Sequence, residues 1–161
     1  MTILGKIVAI TGALVMASIG GWIVSRKLIK RASPVPNTIG LIAGRLAPCP
    51  ASPNCVSTQA DDVEHHLDPI PYTLSLTETR TVLLEIVWSL PRTDVLSITP
   101  NYIHAISQTL VFGFLDDTEI YIDDEAKLIH LRTAARLGYG DRGLNRRRAE
   151  KIVAKFKDMT E

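Results

Sequence analysis

At 161 residues the chain has room for one folded domain and an appendage, and too little for two sizeable cores. Eighteen basic residues against seventeen acidic ones leave a formal charge of +1. That balance excludes bulk attraction to a phosphate backbone, and nucleic acid is not among the expected partners.

The hydrophobic residues are unevenly spread. From Ile7 to Val24, "IVAITGALVMASIGGWIV" carries no charge. As a helix that stretch is roughly 27 Å long, close to the hydrocarbon core of a bilayer. Trp22 stands near one end, where aromatic belts lie, and Arg26, Lys27, Lys30 and Arg31 follow it. The segment reads as one transmembrane helix. A cleaved signal peptide fits less well, because the start is weakly basic and cleavage after Ser18-x-Gly20 leaves apolar "WIV" behind. Ala13, Ala17 and Gly21 share a face on which another membrane helix could approach. Four basic residues after the helix against one before it place the domain on the cytoplasmic side. The alternative is the periplasmic or lumenal side.

Prolines 34, 36, 48 and 50, with Gly40 and Gly44, mark a linker. The expected organisation is an anchor with basic flank over residues 1–31, a linker over 32–48 and a domain over 49–161. Leu67 to Tyr72 reads as a short edge segment, confined there by Pro69 and Pro71. Ser75-x-x-Glu78 is a capping box, and Leu83, Ile86, Val87 and Leu90 share one helical face, so a helix is predicted from about Thr77 to Leu90. Strands are predicted over Asp94–Thr99, from Tyr102 with a bend near Gly113, over Thr118–Ile122 and over Leu128–Thr133. Asp116 and Asp117 read as turn residues. Ala149, Ile152, Val153 and Phe156 predict a final helix, capped by Asp141 or Asn145. The fold class is therefore α+β, an antiparallel sheet of about four or five strands with two helices after the anchor. Helix-grip and TATA-binding-protein-like layouts are compatible with that order.

Charge divides the domain. Asp61 to Glu125 holds thirteen acids and two bases, whereas Arg132 to Lys157 holds nine bases and two acids. Mutual neutralisation across the fold is the simple reading. The sharper one is that Arg132, Arg136, Arg146, Arg147 and Arg148 form a surface for an anion, since arginine forks suit phosphate and carboxylate. Asp116, Asp117 and Glu119 are the internal partners for such arginines. His104 and His130 read as packed strand residues, with general-base work by His104 as the alternative.

Cys49 and Cys55 are the only cysteines. A disulfide between them requires an oxidising compartment, which opposes the charge argument for the cytoplasm. Cys49, Cys55, His65 and His66 hold zinc-ligand atoms at no familiar spacing, so no metal is expected. No cofactor motif is present, and no catalytic residue is assigned.

"LAPCPASPNCVSTQA", "YIHAISQTLVFGFLDDTEIYID" and "RTAARLGYGDRGLNRRRAE" together resemble an uncharacterised family, domain of unknown function 1499, from about Leu46 to Phe156. The resemblance implies one α+β domain, found in bacterial, cyanobacterial and plastid proteins and often tied to a membrane, and no known reaction. The motif positions it carries over include Cys49, Pro50, Pro53, Asn54, Cys55, His104, Phe114, Asp116, Asp117 and Glu119. In the third motif they include Arg132, Arg136, Tyr139, Asp141, Gly143, Asn145, Arg146 and Arg147. The chain departs from the family where Thr133 and Gly140 stand for serine, and where "AISQT" lacks the family's charges.

The expectation for function is a membrane-tethered module that binds an anionic ligand, a lipid headgroup or a protein partner near the bilayer. Arg132, Arg136, Tyr139, Asn145 and Arg146 are the expected contacts. Asp116, Asp117, Glu119, Asp141 and His104 support them. An enzyme using Asp116, Asp117 and His104, or an assembly factor acting through the helix, are the alternatives.

Overall fold

The computed structural model describes residues 2–161. Helix α1 spans Ile3–Ala32, opened by the Thr2 hydroxyl, which accepts from the Gly5 amide. It outruns the apolar stretch because nothing before Pro34 breaks it, and the basic residues simply form its last two turns. No residue of α1 is buried by the protein, and the helix is long and apolar enough to cross a membrane. A signal sequence would pass the same test of length and composition.

The folded domain has strands β1 (Cys55–Ser57) and β2 (Ile70–Pro71), helix α2 (Leu76–Trp88), strands β3 (Thr93–Thr99), β4 (Tyr102–Gln108), β5 (Leu115–Asp123) and β6 (Leu128–Ala135), and helix α3 (Leu144–Thr160). The sheet is antiparallel in the order β1-β6-β5-β4-β3. Strand β2 continues the line of β1 along the same edge of β6, with Ile70 opposite Ile129. Its brevity follows from Pro69 and Pro71, which cannot donate to a ladder. The opposite edge, β3, is open, and its register against β4 slips between Val95 and Ser97.

Helix α2 starts at the expected capping box. The Ser75 hydroxyl accepts from the Glu78 amide, and the Glu78 carboxylate accepts from the Ser75 amide. Its Leu83, Ile86 and Val87 meet Ile152 and Phe156 of α3, and both helices cover the sheet face that presents Ile103, Ala105, Ile120, Ile122, Ile129 and Leu131. This is the apolar core, set by period-2 alternation in the strands and helical spacing in α2 and α3.

The other face of the sheet is polar and is also buried. Residues 33–46 cross it: the Gly40 amide donates to Glu119 at 2.8 Å, and the Ser33 carbonyl accepts from Arg136 at 3.1 Å. The segment that reads as a linker by composition is thus seated on the domain, and Ser33 and Leu46 are buried. Strand β5 begins at Leu115 rather than Thr118, because Asp116 and Asp117 pair with Ala135 and Ala134 of β6 as strand residues. Placing two carboxylates there is tolerable only because arginines from β6's end and α3 neutralise them.

Leu83 is fully buried between α2 and the sheet. Leu83→Ala should lower stability by about 2–5 kcal/mol, read from denaturant unfolding of the full chain in detergent.

Candidate functional site

Strand register builds the polar face. Glu119 lies opposite Arg132 on β6 and His104 on β4, and Asp117 opposite Ala134 and Ile106. Side chains of one parity therefore gather on this face. Arg132 donates to Glu119 at 2.9 Å, and Tyr102 donates its hydroxyl proton to the other carboxylate oxygen at 2.7 Å. Arg136 grips Asp117 through Nε at 2.8 Å and a terminal nitrogen at 2.7 Å, a bidentate fork. His104 Nε2 lies 2.8 Å from Asp117 Oδ1. The side chains of His104, Arg136 and Asp117 are only 5%, 4% and 2% exposed. The cluster has the groups of an acid–base triad but is closed to solvent.

A second group joins the start of α3 to the motif around the cysteines. Cys49 and Cys55 form a disulfide at the entry to β1. Beside it, the Asn54 carbonyl accepts from Asn145 Nδ2 at 3.0 Å and from the Ala135 amide at 3.0 Å, and Asn54 Nδ2 donates to the Gly138 carbonyl at 2.6 Å. Asp141 accepts from the amides of Gly143 at 2.8 Å and Asn145 at 2.7 Å, so it supplies the cap of α3 from just outside the helix. Gly143 itself stands at φ +73°, a left-handed conformation that glycine adopts without cost. The Thr133 hydroxyl donates to the Asn145 carbonyl at 2.9 Å, a role that serine would fill equally. Arg148 donates to Asp116 at 2.8 Å.

Two cavities flank this loop on its outer side. The smaller, about 200 Å³, is lined by Arg92 from the α2–β3 turn, Gln108 and Thr109 from the end of β4, and Arg147, Arg148 and Lys151 on α3. No carboxylate lines it. Arg147 and Lys151 are four residues apart and share a helix face. The larger, about 450 Å³, is lined mainly by Leu110, Val111, Phe112, Phe114, Leu137 and Leu144, with Asp116, Asp141 and Arg142 at its polar side. Thr109 and Leu144 wall both. His104 lines neither.

The structure brings the expected residues together unevenly. Arg132, Arg136 and Asn145 are held inside by the partners above. Arg146 donates to the carbonyls of Glu64 at 2.7 Å and His66 at 3.1 Å, fastening the loop before β2. Tyr139 is 75% exposed. His65 is buried against Asp62 and the Ser52 carbonyl, and His66 bonds Ala60 and Asp68, so neither faces the cysteines as a ligand pair. Among the described residues, no three His, Cys, Asp or Glu side chains are grouped to hold a metal. Sequence reading missed Arg92 and Lys151. The spacing of Arg147 and Lys151 was a visible signal, but nothing local in the sequence carries Arg92 to α3.

The model of the family described as "Protein of unknown function (DUF1499)" matches residues 45–156. No curated protein matches the chain.

Burial, the largest influence on Asp117, raises its pKa, but the hydrogen bonds and charges of Arg136 and His104 together hold it below the ordinary value. Asp116 goes the other way: burial raises it and Arg148 offsets this only in part. A depressed folded pKa means that Asp117 stabilises the fold above the unfolded value, about 3.9, and that this is lost as pH falls through the folded value. Protonation of Asp116 instead relieves the folded state. Asp117→Asn should therefore cost about 3–5 kcal/mol at neutral pH by leaving Arg136 buried and unpaired. It should also flatten the loss of stability between about pH 5 and about pH 2, whereas Asp116→Asn should not. Denaturant unfolding across that pH range reads both.

Proposed function

The chain belongs to the DUF1499 family, and we propose that it is a membrane-anchored module that binds an anionic group of phosphate type close to the bilayer, at the outer side of the first turns of α3. The observation that carries this reading is the small cavity with Arg92, Arg147, Arg148 and Lys151 in its wall and no carboxylate. Arg148 is already matched to Asp116, so three cationic side chains remain to be neutralised there by solvent ions or by a ligand. Arginine forks and a lysine point charge are the groups that recognise phosphate oxygens. In this reading Arg132, Arg136 and Asn145 act from behind, by fixing the strand and loop. Tyr139 and Arg146 lie on the loop's surface side.

The anchor is α1, and the domain lies on the oxidising face of the membrane. The Cys49–Cys55 bridge supports that side, since reducing cytosol does not preserve structural disulfides. The basic flank argues for the cytoplasm, but Arg26 is engaged by the domain itself, which weakens the cluster as a headgroup contact.

Arg147→Ala combined with Lys151→Ala should weaken binding of inorganic phosphate to the detergent-solubilised chain at least about tenfold. If a lipid headgroup is the source of the anion, the same pair should abolish preferential retention of anionic over zwitterionic phospholipid in nanodiscs. Unchanged binding in both assays overturns the proposal. For the compartment, a membrane-impermeant thiol reagent should label intact cells only after reductant. Labelling without it places free thiols outside, and no labelling in either case places the domain inside.

A further inference from the structure

The β4–β5 hairpin carries three consecutive apolar side chains at its tip, Leu110, Val111 and Phe112, which are 65%, 55% and 55% exposed. Two residues of α1 hold this tip. Trp22 Nε1 donates to the Val111 carbonyl at 2.6 Å, and Arg26 donates to the Leu110 carbonyl at 2.6 Å and to Gln108 Oε1 at 3.0 Å. The Arg26 guanidinium also lies over the Trp22 ring, 5.1 Å from its centroid. Gly113, at φ +76°, makes room for it: a Cβ there would stand 3.2 Å from the guanidinium carbon. The tip is therefore pinned beside α1 at the level of Trp22, near the end of the charge-free part of the helix and one turn before Arg26, the first of the basic residues that follow it.

We propose that this tip is a second membrane contact, inserted into the interfacial zone of the same bilayer that α1 crosses. The inference rests on α1 being a membrane span. Tryptophan marks the depth at which amphipathic groups sit, between headgroups and acyl chains. In that hydrated zone water and headgroups can serve some backbone groups of an irregular loop, and protein partners for the others ease its entry. Here the Leu110 and Val111 carbonyls have theirs in Arg26 and Trp22, while the Gly113 amide donates to the Thr109 carbonyl and the Phe114 amide to the Thr109 hydroxyl. The loop presents its apolar side chains outward and turns the Leu110 and Val111 carbonyls to α1, while the Leu110, Val111 and Phe112 amides are left to the water and headgroups of the interfacial zone. Lys27, Lys30 and Arg31, next along α1, face the headgroup layer just beyond it. Two points of attachment orient the domain and bring the apolar cavity beside Leu110, Phe112 and Leu137 to the membrane surface.

The test uses the full chain in lipid nanodiscs, with Phe112→Cys carrying an environment-sensitive fluorophore. The native cysteines remain bridged and do not react. Thr99→Cys, exposed at the end of β3 at the far end of the sheet, is the water-facing control. The Phe112 probe should lose at least about half of its emission to nitroxide-labelled lipid and be shielded from aqueous iodide, and the Thr99 probe should behave oppositely. A Phe112 probe that iodide quenches, or that neither quencher reaches because protein covers it, overturns the proposal. Retention of the chain in discs reads the anchor separately from the tip. Should Phe112→Cys fail to fold, Leu110→Cys repeats the measurement.

Discussion

The architecture depends on neutralising carboxylates inside a sheet. Asp116, Asp117 and Glu119 are buried on β5, and each meets one arginine, Arg148, Arg136 and Arg132 in turn. Unpaired, such groups would be far too costly to bury. Paired, they tie β5 to β6 and to α3. Through Arg136 and Glu119 they also tie the sheet to the segment that follows α1. The sheet consequently has two buried faces of different chemistry, one largely apolar under the helices, with Asp116 meeting Arg148 of α3 at its end, and one ionic under residues 33–46, with Asp117 and Glu119. An anchor continuing through an ordinary flexible linker would leave the domain free to tumble. Here the chain leaving the helix is bonded to the centre of the domain within a few residues.

The apolar face was legible in the sequence. Ile120 and Ile122 alternate with Glu119 and Tyr121, the α2 stripe and capping box are plain, and the α3 stripe ends at Phe156. The ionic face was not. Alternation indicates that Glu119 points away from Ile120, but not that something covers it. The cover comes from residues 33–46, whose prolines and glycines signal irregular backbone and carry no periodicity. Asp116 and Asp117 misled for a related reason: paired aspartates favour turns by local preference, and the arginines that hold them in a strand lie 19 and 32 residues away.

The charge asymmetry along the chain has a counterpart inside the fold. Neutralisation across the fold is met by Arg132, Arg136 and Arg148. Arg147 and Lys151 lie outside that network, where Arg92 joins them from a different part of the chain. Contacts of this kind, between a turn and a helix far apart in sequence, have no local signal. The same holds for Trp22 and Arg26 against the hairpin tip: composition identifies an interfacial aromatic and a basic flank, but not that both are bonded to the domain.

The slipped register between Val95 and Ser97 has a bearing on crowding. If α1 tethers chains in one plane, they share an orientation and their open β3 edges face neighbours at high surface density. A regular edge invites continuation of the ladder from one molecule to the next. The extra residue on β3 throws the backbone donors and acceptors out of step, which disfavours continuous pairing of two such edges. Were many copies held in one plane, the irregular strand would disfavour such edge-to-edge growth.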